Sequence, residues 1–201
     1  MKSNLVDLGT INPDEILEKY LDRPKLDRYY AVLMDHNSRL NLVSRETSRA
    51  DFDRLVAESL LPLDRIKTPV AGYIDIGSGG GFPSLSILLS GVVSGGAILV
   101  ERTGKKARAL QSILAELELG ASVAPVNFEE IKDLPRVALA TLRLVKLDQP
   151  LLTRIGIQLR PGGVLVYYSR PVFSASGIPF QTFAYRSSQD AEPKHFTIFK
   201  K

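Results

Sequence analysis

The chain has 201 residues, no cysteine, 44% hydrophobic and 24% charged residues, and a net charge of +4. That length suits one domain with a small appendage, and such a chain buries roughly 70% of its unfolded surface without staples. The missing cysteine excludes disulfides, thiolate metal sites and a cysteine nucleophile. The mild positive charge permits an anionic partner such as RNA without demanding one.

The first residues, from Met1 to Asp7, form no apolar run of signal-peptide length. The longest apolar stretch, near Leu85 to Val93, is broken by Ser86, Ser90 and Gly91 and is too short to span a bilayer. Both features predict a soluble, cytoplasmic protein. Residues 13–65 read as helical. Pro13 marks a first start, with Asn12 as cap and Asp14 and Glu15 in the first turn. Pro24 opens a second helix to about Arg39, with Leu26, Tyr29, Tyr30, Leu33 and Met34 at helical spacing. A third covers about Arg49 to Arg65.

After Pro69 short β-rich runs alternate with helical runs. Strands are expected at 72–76, 97–100, 122–126, 137–142 and 164–168, and helices at 82–89, 103–119 and 147–159. Gly120 suits the stop of the 103–119 helix, and Arg160-Pro161-Gly162-Gly163 the stop of the 147–159 helix. Residues 179–186 and 195–200 suit two further strands, paired antiparallel at the sheet edge. This α/β pattern predicts a Rossmann-like, class I S-adenosylmethionine-dependent methyltransferase fold. Its sheet would have seven strands, mostly parallel, with an antiparallel C-terminal hairpin. Residues 1–68 would form a helical extension packed on a core of residues 69–201.

The loop Asp75-Ile76-Gly77-Ser78-Gly79-Gly80-Gly81 lies between a predicted strand and a predicted helix, the setting in which a glycine motif carries meaning. A dinucleotide fingerprint would place its third glycine at Phe82, and no Gly-Lys-Ser/Thr ending marks a P-loop. S-adenosylmethionine has no phosphates and needs no phosphate-binding lysine. Glu101 ends the next strand, where a carboxylate can accept hydrogen bonds from both ribose hydroxyls. The cofactor-binding candidates from the loop and the strand end are Asp75, Gly77, Ser78, Gly79, Gly81, Phe82, Glu101 and Arg102.

The segment from Ile74 to Pro83 resembles the signature of the RsmG family, also called glucose-inhibited division protein B. Val100-Glu101-Arg102-Thr103-Gly104-Lys105-Lys106-Ala107-Arg108, Leu40-Asn41-Leu42-Val43-Ser44 and Glu58-Ser59-Leu60 resemble its other segments. The resemblance implies methylation of a guanine N7 in 16S ribosomal RNA by S-adenosylmethionine, with the small ribosomal subunit as partner. It implies that Gly77, Gly79 and Gly81 line the cofactor, Glu101 holds its ribose and Glu129 lies near its adenine, with Phe128, Glu129 and Arg143 completing the cofactor-binding candidates. Arg143, matching an arginine in the family's Ser-Arg-Ala, is the catalytic candidate facing cofactor and substrate. The chain departs from the family pattern at Leu55, where a histidine is usual, and at Leu142 and Leu144 beside Arg143. It departs again at Asn127-Phe128, at Ser169-Arg170 and at Lys194, where the family has an arginine.

The acceptor can be narrowed from the residues themselves. Cytosine C5 methylation needs a cysteine, and the Asp/Asn-Pro-Pro-aromatic motif of exocyclic-amine methylation is missing from Thr141-Leu142-Arg143-Leu144-Val145-Lys146. Ring-nitrogen and oxygen acceptors stay open, as do a different substrate and a non-catalytic RNA- or cofactor-binding role. His36 and His195 show no metal spacing, so no metal site is expected. Cations at Arg102, Lys105, Lys106 and Arg108, at Arg143, Lys146, Arg154 and Arg160, and along the N-terminal helices could neutralise RNA phosphates. Tyr29, Tyr30 and Tyr168 are candidates for stacking on a flipped base, core packing being the alternative. A monomer is expected.

Overall fold

Local chemistry sets the helix starts in the computed structural model, which describes residues 5–172, 177–188 and 190–201. Helix α1 (Pro13–Tyr20) begins where the Asn12 side chain accepts the amide of Asp14. Helix α2 (Arg23–Arg39) begins where Asp22 accepts the amide of Lys25. Helix α3 (Arg49–Leu60) carries a capping box between Ser48 and Asp51, satisfying two otherwise orphaned amides. The predicted third helix is therefore shorter than expected: Pro62 follows, and the chain tightens into a 3-10 turn over Leu61–Arg65. Helices α4 (Ser84–Leu89), α5 (Gly104–Glu116) and α6 (Gln149–Gln158) alternate with the strands.

The strands are β1 (Leu5–Thr10), β2 (Val70–Ile76), β3 (Val93–Val100), β4 (Ser122–Ala124), β5 (Val137–Leu142), β6 (Leu159–Tyr167), β7 (Phe180–Arg186) and β8 (Lys194–Lys200). They form one sheet in the order β1-β7-β8-β6-β5-β2-β3-β4. Only β8 runs antiparallel to its neighbours, β6 and β7. The expected hairpin is present, but it is not the sheet edge. Strand β1 pairs parallel with β7 outside it and raises the strand number from seven to eight. Two further expectations fail. Arg160-Pro161-Gly162-Gly163 does not separate helix from strand but lies inside β6, where the register against β5 shifts. The residue in left-handed conformation after α5 is Glu118, not Gly120. The turn is closed by its own backbone: the Glu118 amide donates to the Ala115 carbonyl at 3.1 Å and the Leu119 amide to the Leu114 carbonyl at 2.8 Å, with an exposed Arg28–Glu118 ion pair beside it.

Helices α1, α2, α3 and α5 cover one face of the sheet, and α6 with Phe128 covers the other. Tyr29 is fully buried, with Phe52 at 4.9 Å and Phe82 at 5.8 Å between ring centroids. The N-terminal helices thereby pack directly on the end of the glycine loop. Strand order reverses between β2 and β5, whose C-terminal ends flank the crevice where open α/β sheets bind ligands.

Candidate functional site

A cavity of about 1020 Å³ opens at that crevice. Its walls include Gly77, Ser78, Gly79, Phe82, Glu101, Arg102, Phe128, Glu129 and Arg143, so the fold gathers nine of the eleven predicted residues. Asp75 and Gly81 lie behind the wall instead. Asp75 is 1% exposed, and the Thr141 hydroxyl donates to its Oδ1 at 2.5 Å. Burial holds its carboxyl above the usual carboxylate range. Gly81 backs onto Leu85 and Leu110.

Glu101 is 6% exposed, at the end of β3. Its Oε2 accepts the Gly79 amide at 2.8 Å and its Oε1 accepts the Thr103 amide at 2.7 Å. Each oxygen keeps a further lone pair. The carboxylate is thus fixed before any ligand arrives and can still accept two hydroxyls, which is what the ribose of an adenosyl group presents. Gly79 makes its bond from φ +53°, a conformation open to glycine at little cost. At the other wall the turn Phe128–Glu130 follows β4. Arg154 holds it by donating to the carbonyls of Phe128, Glu129 and Ile131, at 3.4, 2.8 and 2.9 Å.

Some of the wall was not anticipated. Leu42, Val43, Ser44 and Thr47, between α2 and α3, close one side. Buried Asn37 pins this segment: its Oδ1 accepts the amides of Leu42 and Val43 at 2.9 and 3.0 Å. The Leu42 carbonyl in turn touches the glycine loop. A Cβ at Gly80 would lie 2.2 Å from that oxygen, so only glycine fits. The one sequence signal was a polar asparagine on the apolar face of α2, four residues after Leu33. Replacing Asn37 with leucine orphans two amides. The expected cost is about 1–3 kcal/mol of stability, read by denaturant unfolding, together with weaker S-adenosylhomocysteine binding by calorimetry. Unchanged values for both would remove the latch.

Arg143 leaves the end of β5 and is only partly exposed. Its Nη2 meets Glu58 Oε2 at 3.1 Å, its Nη1 donates to Ser59 Oγ at 3.1 Å, and its guanidinium sits 5.6 Å from the Tyr168 ring centre. Glu58 is 3% exposed and also takes Lys194 Nζ at 2.5 Å. Lys194 and Arg54 both reach Asp190.

Most of the anticipated cationic surface is already engaged. Arg23, Lys25, Arg28, Arg39, Arg49 and Arg54 are ion-paired. Arg154 caps carbonyls, and Arg160 donates to the Arg136 carbonyl. Arg102, Lys106 and Lys146, all on the cavity wall, make no ion pair among the described residues. None of the three tyrosines lines the cavity. Tyr29 is core, Tyr30 packs against Phe52, and Tyr168 donates to the Ser59 carbonyl at 2.6 Å. His36 instead pairs with Glu116 of α5 at 2.7 Å. Among the described residues no helix is long and apolar enough to cross a membrane.

Residues 22–170 match the family model GidB, described as rRNA small subunit methyltransferase G. The chain belongs to this family. Its ribosomal RNA small subunit methyltransferase G relatives include the protein of Acidiphilium cryptum, 32% identical over 71% of this chain and 65% of that protein. The Chlorobium phaeobacteroides protein is 30% identical over 81% of this chain and 73% of its own length. The first of these matches spans just under two thirds of the relative. Among solved structures, an O-methyltransferase from Bacillus cereus in complex with S-adenosylhomocysteine superposes with a TM-score of 0.65. It covers 93% of this chain and 96% of its own at 14% identity. An N-methyltransferase from Bradyrhizobium japonicum with the same ligand gives 0.59, over 87% and 98%, at 13% identity. At these identities the likeness is one of fold, and the fold is that of class I methyltransferases.

Proposed function

We propose that this family member transfers the methyl group of S-adenosylmethionine to a guanine N7 in 16S ribosomal RNA, as a cytoplasmic monomer acting on the small ribosomal subunit. The observation that carries the reading is the cavity itself. One side holds a pre-set carboxylate and glycine loop suited to an adenosyl group, and the cations Arg102, Lys106 and Lys146 on its walls make no ion pair among the described residues. Its volume lies at the top of the roughly 300–1,000 Å³ range of small-molecule sites, which leaves room for a base beside the cofactor.

The cofactor, when bound, supplies a methyl group on a sulfonium, already a good leaving group. Glu101 holds its ribose, and the Gly77–Gly79 backbone accommodates its methionine part. The Phe128–Glu129 turn, clamped by Arg154, borders the adenine. Arg143 faces the acceptor from the end of β5, oriented by Glu58. Guanine N7 carries a free lone pair, so no proton must leave before attack. Neither histidine lines the cavity, and a ring nitrogen needs none. What remains is alignment and exclusion of water, which positioned walls provide.

Small subunits from a strain lacking the protein are the test substrate. The purified chain with radiolabelled S-adenosylmethionine is expected to add one 7-methylguanine per particle. Transfer to small molecules or protein but not rRNA would instead establish another class I methyltransferase. Cofactor affinity without turnover on any fraction would establish a non-catalytic homologue.

A further inference from the structure

Leu144 is 98% exposed, the most exposed large hydrophobic side chain among the described residues, and it stands on the cavity wall. Its φ is +58°, left-handed backbone that L side chains other than asparagine and aspartate rarely adopt. Its two neighbours are anchored. Arg143 is tied inward to Glu58 and Ser59. Val145 packs so closely on the glycine loop that a Cβ at Gly77 would lie 2.5 Å from it. The backbone therefore turns Leu144 outward at a fixed place and not as part of a loose loop. An apolar tip in unfavourable backbone, fully in water, costs the free protein twice. Such strain persists at functional sites, where the surroundings over-determine it.

The tip shares the cavity wall with Arg102, Lys106 and Lys146, cations that make no ion pair among the described residues and suit phosphates. Nucleic-acid enzymes that act on a base must bring it out of the stack, and apolar side chains inserted between bases hold the gap open. We propose that Leu144 is a wedge that enters the RNA base stack beside the target purine and keeps that purine extruded into the cavity. The inference rests on the RNA methyltransferase reading above. Leu144 acts as a positioning residue.

Two variants and one probe test it on hypomethylated small ribosomal subunits. Leu144→Gly relieves the backbone and removes the side chain, so folding is retained and thermal stability should hold or rise. Its kcat/KM on the particle is expected to fall about 10-fold or more, roughly the worth of one buried leucine side chain, mainly through KM. Its dissociation constant for S-adenosylhomocysteine should stay within about twofold. Leu144→Met, which restores an apolar tip, should recover most of the loss. A diazirine analogue of leucine at position 144, irradiated on the particle, is expected to crosslink to RNA. Wild-type kcat/KM in Leu144→Gly, or crosslinks to ribosomal protein alone, would overturn the wedge while leaving the methyltransferase reading intact. Absence of any methyl transfer by the wild-type chain would overturn both.

Discussion

Replacing Glu58 with leucine is expected to lower the unfolding free energy by about 3 kcal/mol and to cut turnover more than cofactor affinity. Glu58 is a buried carboxylate that neutralises two cations, Arg143 at 3.1 Å and Lys194 at 2.5 Å. Removing one member of a buried pair costs about 3–5 kcal/mol, because the surviving charge is left uncompensated. The lower end applies because Arg143 and Lys194 both keep some contact with water. The loss is not only one of stability. Without Glu58 the guanidinium keeps a single side-chain hydrogen bond, to Ser59, and its place over Tyr168 is no longer defined. Urea unfolding checks the first part, and single-turnover methylation beside calorimetry checks the second. A variant as stable as the wild type, with unchanged turnover, would show that the network neither stabilises the fold nor orients Arg143.

Glu101→Gln is expected to weaken S-adenosylhomocysteine binding by about two orders of magnitude with a smaller effect on folding. The carboxylate accepts Gly79 on one oxygen and Thr103 on the other. An amide offers a single acceptor oxygen, so one of those backbone donors would face the amide's own N–H. The ribose would also lose one of two charge-assisted bonds, each worth about 1.5–3 kcal/mol. Calorimetry across the pair reads the effect directly. Binding within threefold of the wild type would place the adenosyl group elsewhere in the cavity.

The elements legible in the sequence are those whose cause is local. The Asn12 cap needs only its own helix start, and Val137–Leu142 is legible to the residue because a short run, apolar but for Thr141 and bounded by Arg136 and Arg143, suits a buried strand of a parallel sheet. Glu101 was readable from its distance to the loop. Gly120 is not the helix stop, because Glu118 takes the left-handed position two residues earlier and closes the helix by backbone bonds to Ala115 and Leu114. The rest of what escaped depends on distant partners. Leu40–Ser44 carries part of the family resemblance, but its place on the cavity wall is set by Asn37, which the resemblance does not show. Glu58 and Lys194 lie 136 residues apart and meet at 2.5 Å. Neither position shows that contact alone. The cationic clusters misled for the same reason: sequence shows the charges but not the carbonyls and carboxylates that consume them.

The unpredicted strand β1 bears on how the molecule meets copies of itself. A sheet ends in rows of unpaired backbone groups, which template the addition of further strands. Here one end is β4, only three residues long. The other is β1, whose ladder against β7 is interrupted between Asp7 and Thr10. Gly9 sits there at φ +71°, its amide held by the Asp7 carboxylate at 2.9 Å. A charged, bulged edge and a very short one both resist the long flat pairing from which fibrils grow. The resistance to edge-to-edge growth thus lies at the two ends of the sheet, far from the candidate site at its middle.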